Sequence, residues 1–215
     1  LTIDGDLSDW NEAEVTPIEI DGISDAEGGK HTTTELSDHF AINKLLITYD
    51  ISGIYFGFDI FDNEINVKTV NDFWLGDCIE LFMSTITDMP NADMQVYKDD
   101  GGVIQAAFAT RWETDNYTAL SEVRTNSTYL AKKSLIQAKL VLTETGYRGE
   151  VCIPFTFAPE FKTAIDAGNP IDIAIVVADA ERADLGLKRI QMSNVPHFVE
   201  DYKTKTARMP QYIFD

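Results

Sequence analysis

Basic residues are scarce. Seventeen Lys and Arg stand against thirty-six Asp and Glu in 215 residues, giving a formal net charge of −19. A chain this acidic offers no basic footprint to a phosphate backbone, which excludes nucleic acid as a partner. An anionic membrane surface would repel it. No apolar run reaches the 18 or more residues of a membrane-spanning helix. Cysteine is rare too, with Cys78 and Cys152 alone, too few for a disulfide scaffold. One bridge or two buried thiols both remain open. Neither cysteine has metal-site spacing or the basic surroundings that make a thiol reactive. The three histidines, His31, His39 and His197, are scattered.

The usual catalytic signatures are missing as well. There is no His-Glu-x-x-His, Gly-x-Ser-x-Gly, phosphate loop or dinucleotide fingerprint. A glycosidase needs two carboxylates about 5–5.5 or 6.5–9.5 Å apart. Asp77 and Glu80 lie three positions apart on an expected strand, so they stand about 10 Å apart and point to opposite faces. A glycan-active enzyme built on another pair stays open as an alternative.

What is present is enough apolar residue for a core: 44% hydrophobic, 11% aromatic. The periodicity is mostly that of strands. Ile54, Phe56, Phe58 and Ile60 alternate onto one face, and with Leu45 to Tyr49 they predict a hairpin turning at Ser52-Gly53. Cys78 to Met83 is another strand. Met94 to Tyr97 and Val103 to Phe108 flank the turn-rich 98–102 segment as a further hairpin. Leu135 to Leu142 and Tyr147 to Ile153 form a third, and the continuous apolar run Ile171 to Ala178 is a buried strand. Ile190 to Met192 and Tyr212 to Phe214 are shorter strands, and Asp21 to Asp38 reads as a polar loop. Pro159 to Ala167, closed by Gly168 and Pro170, is the one short helix. The sequence therefore predicts an all-β fold: a single domain over 1–215, an antiparallel β-sandwich. The chain begins at Leu1 and reads as a trimmed mature protein or a module of a longer chain.

Two features suggest binding chemistry. Asp4, Asp6 and Asp9, with Ser8 between, supply the hard oxygen ligands calcium prefers, although the spacing is not that of an EF-hand; the competing reading is a turn whose aspartates cap their own backbone. Trp74 and Trp112 stand in expected loops or at strand ends, where an indole can stack on a pyranose ring. Trp10 belongs to the core. Asn116 and Asn126 begin glycosylation sequons.

Four segments, in order, resemble the family 9 carbohydrate-binding modules and their relatives. They are Ile3-Asp4-Gly5 through Asp9-Trp10; Ile54-Tyr55-Phe56 through Asp62; Trp74-Leu75-Gly76-Asp77-Cys78-Ile79-Glu80-Leu81-Phe82; and Gly146-Tyr147 through Glu150 to Ile153-Pro154-Phe155. The resemblance implies a sandwich of jelly-roll type, noncatalytic, often attached to a polysaccharide-degrading enzyme in the same parent chain. It also implies structural calcium, while the acidity of the chain suits a secreted protein, extracellular or periplasmic. Its ligand would be a polysaccharide or oligosaccharide held between two tryptophans. Carried over by position, Trp74 is the first stacking ring and Glu80 the sugar-binding glutamate. Gln95 falls where an arginine is expected. No tryptophan stands in Arg189 to Asn194, the segment associated with the second ring, so Met192, Phe198, Tyr202 or Trp112 would have to serve. Asn194 is a further hydroxyl-binding candidate. Related DOMON-type sandwiches bind haem through Met with His or Lys, and Met83, Met192 and His197 are the residues that would serve an electron-transfer alternative.

Overall fold

The computed structural model describes residues 1–11, 15–20, 22–25, 39–66, 76–86, 103–109, 120–125, 127–180, 189–195 and 209–214. Two antiparallel sheets face each other, as an all-β sandwich requires. The first runs in the order β1 (Thr16–Pro17), β3 (Phe40–Tyr49), β4 (Gly53–Asp62), β9 (Gly146–Pro154), β8 (Gln137–Thr143). The second runs β2 (Gly22–Asp25), β11 (Arg189–Ser193), β10 (Ile171–Ala180), β5 (Cys78–Ser84), β6 (Val103–Ala109), β7 (Leu120–Arg124). A short β12 (Gln211–Tyr212) pairs with the start of β10.

The predicted hairpins form from local chemistry. Asp50 Oδ1 accepts from the Ser52 and Gly53 amides, at 2.6 and 3.2 Å, and so turns β3 into β4. The stripe Ile54, Phe56, Phe58 and Ile60 faces Ile79, Leu81 and Met83 of β5 and Ile173, Ile175 and Val177 of β10 in one core. The helix is Pro159–Asp166; Gly168, at φ 66°, donates its amide to the Ile165 carbonyl and stops it. Three details differ from expectation. Gly22–Asp25 lies within the segment read as polar loop yet pairs with β11, because an edge strand needs no alternating pattern when its partner supplies the register. Leu120–Arg124 also forms a strand, and Ser127–Leu130 adds one helical turn. The 94–97 strand lies outside the described residues. Cys78 and Cys152 are both buried free thiols, one in each sheet.

Trp10 is buried in a smaller cluster on the outer face of the first sheet, with Leu46, Tyr55 and Cys152. Gly57 makes this possible: a Cβ there would come within 3.0 Å of Leu7 and 3.1 Å of Trp10. Glu150, opposite Gly57, is fully buried beneath the turn. Its Oε1 accepts from Trp10 Nε1 at 2.7 Å, and its Oε2 from the Gly5 and Asp4 amides at 2.7 and 3.0 Å. Arg148 Nε donates to the Gly5 carbonyl from the same strand.

Candidate functional site

On the second sheet the odd-numbered residues of β5 and β10 enter the core, so the even-numbered ones form the outer face. Part of that face is apolar: Phe82, Ala174 and Val176 pack under Val195 and Met209. Beside it lies a zone of different character. Glu80, 4% exposed, accepts from Gln105 Nε2 of the neighbouring strand at 3.1 Å. Cys78, Ala107 and Ala178 make a floor of small side chains around the pair. Gln191 of β11 stands opposite Ala178, in the row of Cys78 and one outward step from that of Glu80. The zone holds a carboxylate and two amides beside buried small side chains. That combination suits a neutral ligand rich in hydroxyl groups.

A second constellation sits inside the sandwich at one end. Three strands extend their inward stripe by one more step and place an aspartate there. Asp62 follows Phe58 and Ile60, Asp77 precedes Ile79 and Leu81, and Asp179 follows Ile175 and Val177. All three are buried, and each offers an oxygen within 4.8 Å of the others. Asp77 Oδ1 accepts from the Ala180 amide at 2.9 Å, and Oδ2 from the Asn66 amide. The Asp77 amide donates to the Asn66 carbonyl at 2.9 Å. Burial first, and the neighbouring Asp62 charge second, push the Asp77 pKa up to about 8. Three buried carboxylates at this separation cannot all stay ionised without a counter-charge. Oxygen donors gathered at such distances fit a hard divalent cation such as calcium.

No family model and no curated protein matches the chain. Solved structures do. A carbohydrate binding module family 9 from Caldicellulosiruptor kristjanssonii, in complex with cellotriose, superposes with a TM-score of 0.69 at 14% identity, over 100% of this chain and 89% of that one. A structure of a family 9 module from the same organism, in complex with glucose, gives 0.65 at 16% identity, over 100% and 91%. The chain has the fold of the family 9 carbohydrate-binding modules.

Within that family 9 fold the expected site residues separate. Glu80 lies on the outer face of the second sheet. Trp74, Gln95 and Trp112 lie outside the described residues, as do Phe198, Tyr202 and His197. The amide that reaches Glu80 belongs to Gln105, which is not among the expected site residues; alternation along Val103–Ala109, the strand beside that of Glu80, is the signal that marks it. Asn194 is used inside the sheet. Its Oδ1 accepts from the Ile175 amide at 2.8 Å, and its Nδ2 donates to the Ile173 carbonyl at 3.0 Å and to Tyr212 Oη at 3.2 Å. It thereby fills the gap along the β10 edge between β11 and β12.

The Asp4, Asp6 and Asp9 group does not converge, in contrast to the expectation of a calcium loop. Asp4 accepts from the Asp6 amide, Asp6 from the Ser8 amide and hydroxyl, and Asp9 from the Thr2 amide. Each carboxylate is turned onto its own backbone, the competing reading of the same residues. Among the described residues, the metal-competent group is Asp62, Asp77 and Asp179. Met83 and Met192, the described members of the haem alternative, are buried in the main core.

Proposed function

We propose that this domain is a noncatalytic carbohydrate-binding module that holds a neutral oligosaccharide on the outer face of the second sheet. The observation carrying the reading is the Glu80–Gln105 pair on a floor of small residues, in a fold shared with modules solved with cellotriose and glucose. Glu80 accepts from sugar hydroxyls, Gln105 orients it, and Trp74 supplies the stacking ring. Gln95 and Trp112 are reserve contacts. A secreted setting beside a polysaccharide-degrading enzyme suits such a module. Isothermal titration with cellotriose tests the reading. Binding by the wild type, lost in Glu80→Ala and in Trp74→Ala with folding intact, supports it. No binding to cellotriose, glucose or a broad glycan panel overturns it.

We further propose that Asp62, Asp77 and Asp179 hold a calcium ion of structural role. The cation would balance their charge and join the end of β4 in one sheet to β5 and β10 in the other. Support comes from the donor chemistry and the convergence of the three oxygens.

A further inference from the structure

Residues 1–10 are attached to the sandwich differently from its strands. Among the described residues, their one backbone-to-backbone hydrogen bond is internal, from the Trp10 amide to the Leu7 carbonyl. Their aspartates also bond within the segment: Asp4 accepts from the Asp6 amide, Asp6 from Ser8 and Asp9 from the Thr2 amide. The segment therefore carries its own shape, with Gly5 at φ 88° at its bend. A preformed shape lowers the entropy lost when it docks.

It docks through side chains. Two residues of β9 supply its polar attachments among the described residues. Glu150 accepts from Trp10 Nε1 and from the Gly5 and Asp4 amides. Arg148 donates to the Gly5 carbonyl at 3.1 Å and lies 3.6 Å from Asp6 Oδ1. Trp10, 5% exposed, rests among Leu46, Tyr55 and Cys152, with Ile3 and Leu7 packed against them. Gly57 leaves the recess for Leu7 and Trp10, and a Cβ on Gly5 would stand 2.8 Å from Val141. A self-capped turn, an aromatic anchor and a charged clamp are how a peptide ligand sits in a groove. Residues 11–15 join Trp10 to β1 at Thr16, a tether of at most about 20 Å.

We infer that residues 1–10 are an exchangeable strap, and that the outer face of the first sheet is a receptor for the same ten residues of a second copy of this chain. A displaced strap leaves Glu150 and an apolar floor bare, and a second copy presents the matching donors in the matching shape. The exchanged contact repeats the one within a single chain, so pairing loses none of it. Association entropy opposes pairing, and so does the charge of −19 on each copy, which salt screens. Exchange therefore belongs to concentrated protein at high ionic strength. It does not depend on the carbohydrate reading.

The test mixes two variants of the whole chain. Trp10→Ala keeps the receptor and spoils the strap; Glu150→Ala keeps the strap and spoils the receptor. Sedimentation at high salt is expected to show monomers for each variant alone and a one-to-one pair in the mixture. A mixture that stays monomeric overturns the inference. Equal association of either variant alone also overturns it, because the bare face would then be the contact. If either variant fails to fold, Trp10→Phe and Glu150→Gln replace them, and a synthetic Leu1–Asn11 peptide at millimolar concentration is added to the Trp10→Phe chain. The peptide is expected to raise the melting temperature by several degrees, and the same peptide carrying Trp10→Ala to leave it unchanged. No rise with the native peptide, or an equal rise with both, overturns the inference.

Discussion

Two groups of buried acid hold this molecule at different places, and they solve the same problem in opposite ways. Glu150 lies on the outer face of the first sheet and receives three N–H donors, from Trp10, Gly5 and Asp4. Asp62, Asp77 and Asp179 lie at the end of the core and gather three acids in one place. Burial raises the pKa of Glu150, but the bonds from Trp10 and the turn amides pull the other way. At Asp77 burial and the charge of Asp62 act in the same direction, and the two backbone N–H bonds do not offset them. Burial thus outweighs the donors at both carboxylates, and at Asp77 the charge of Asp62 adds to it.

The largest effect is expected where the donors are lost. Glu150→Ala strands the Trp10 indole N–H and two turn amides, and should cost about 3 kcal/mol in urea unfolding, with a red shift of indole fluorescence. A loss no larger than that of an exposed substitution would remove the distinction between the two groups. The acid cluster should respond to cation instead. Calcium at about a hundredfold over its dissociation constant should add about 2.7 kcal/mol to the wild type by calorimetric melting. Asp62→Asn and Asp179→Asn should abolish that gain while leaving the Glu150 joint intact. Equal melting of the wild type with calcium and with chelator would break the contrast.

The pH response in chelator sharpens it further. The Asp77 pKa rises from 3.8 to about 8 on folding, so the folded state binds the extra proton between those values. Its stabilising contribution is complete below about pH 4 and is lost as pH rises through about 8. Denaturant melts across this window should show the decline, and Asp77→Asn should flatten it. The smallest effect should come from Glu150→Gln, about 1 kcal/mol, since the amide oxygen still accepts from one side of the turn.

This contrast also explains what the four resembling segments do. Asp4, Gly5 and Trp10 of the first meet Glu150 of the last, while Asp62 of the second meets Asp77 of the third. Gly146 brings the last segment against the second: a Cβ there would stand 2.1 Å from the Ile60 carbonyl oxygen. These motif residues are joints of the fold. Glu80 faces outward from the third segment beside Gln105.

The strands of the core were legible because a half-buried strand must alternate, as Ile54 to Ile60 does, and because turns such as Asp50 to Gly53 carry their own chemistry. β2 and β7 were not, since edge pairing leaves a weak imprint on side chains. The aspartates that end each inward stripe could be found by extending the same period one step further, yet no single strand reveals that the three ends coincide. Asp4, Asp6 and Asp9 looked alike in sequence and proved to be local caps.

Alternation, turn residues and composition were enough to set the class of fold, the strands of its core and the net acidity of the chain. Those properties depend on neighbours a few residues away. Packing, and not local sequence, brings Glu150 to Trp10, gathers Asp62, Asp77 and Asp179, carries Gln105 to Glu80 and sets Asn194 at the sheet edge. Each of these joins residues that lie in different strands or segments of the chain, and such distances are closed by packing two sheets together, which no local pattern encodes.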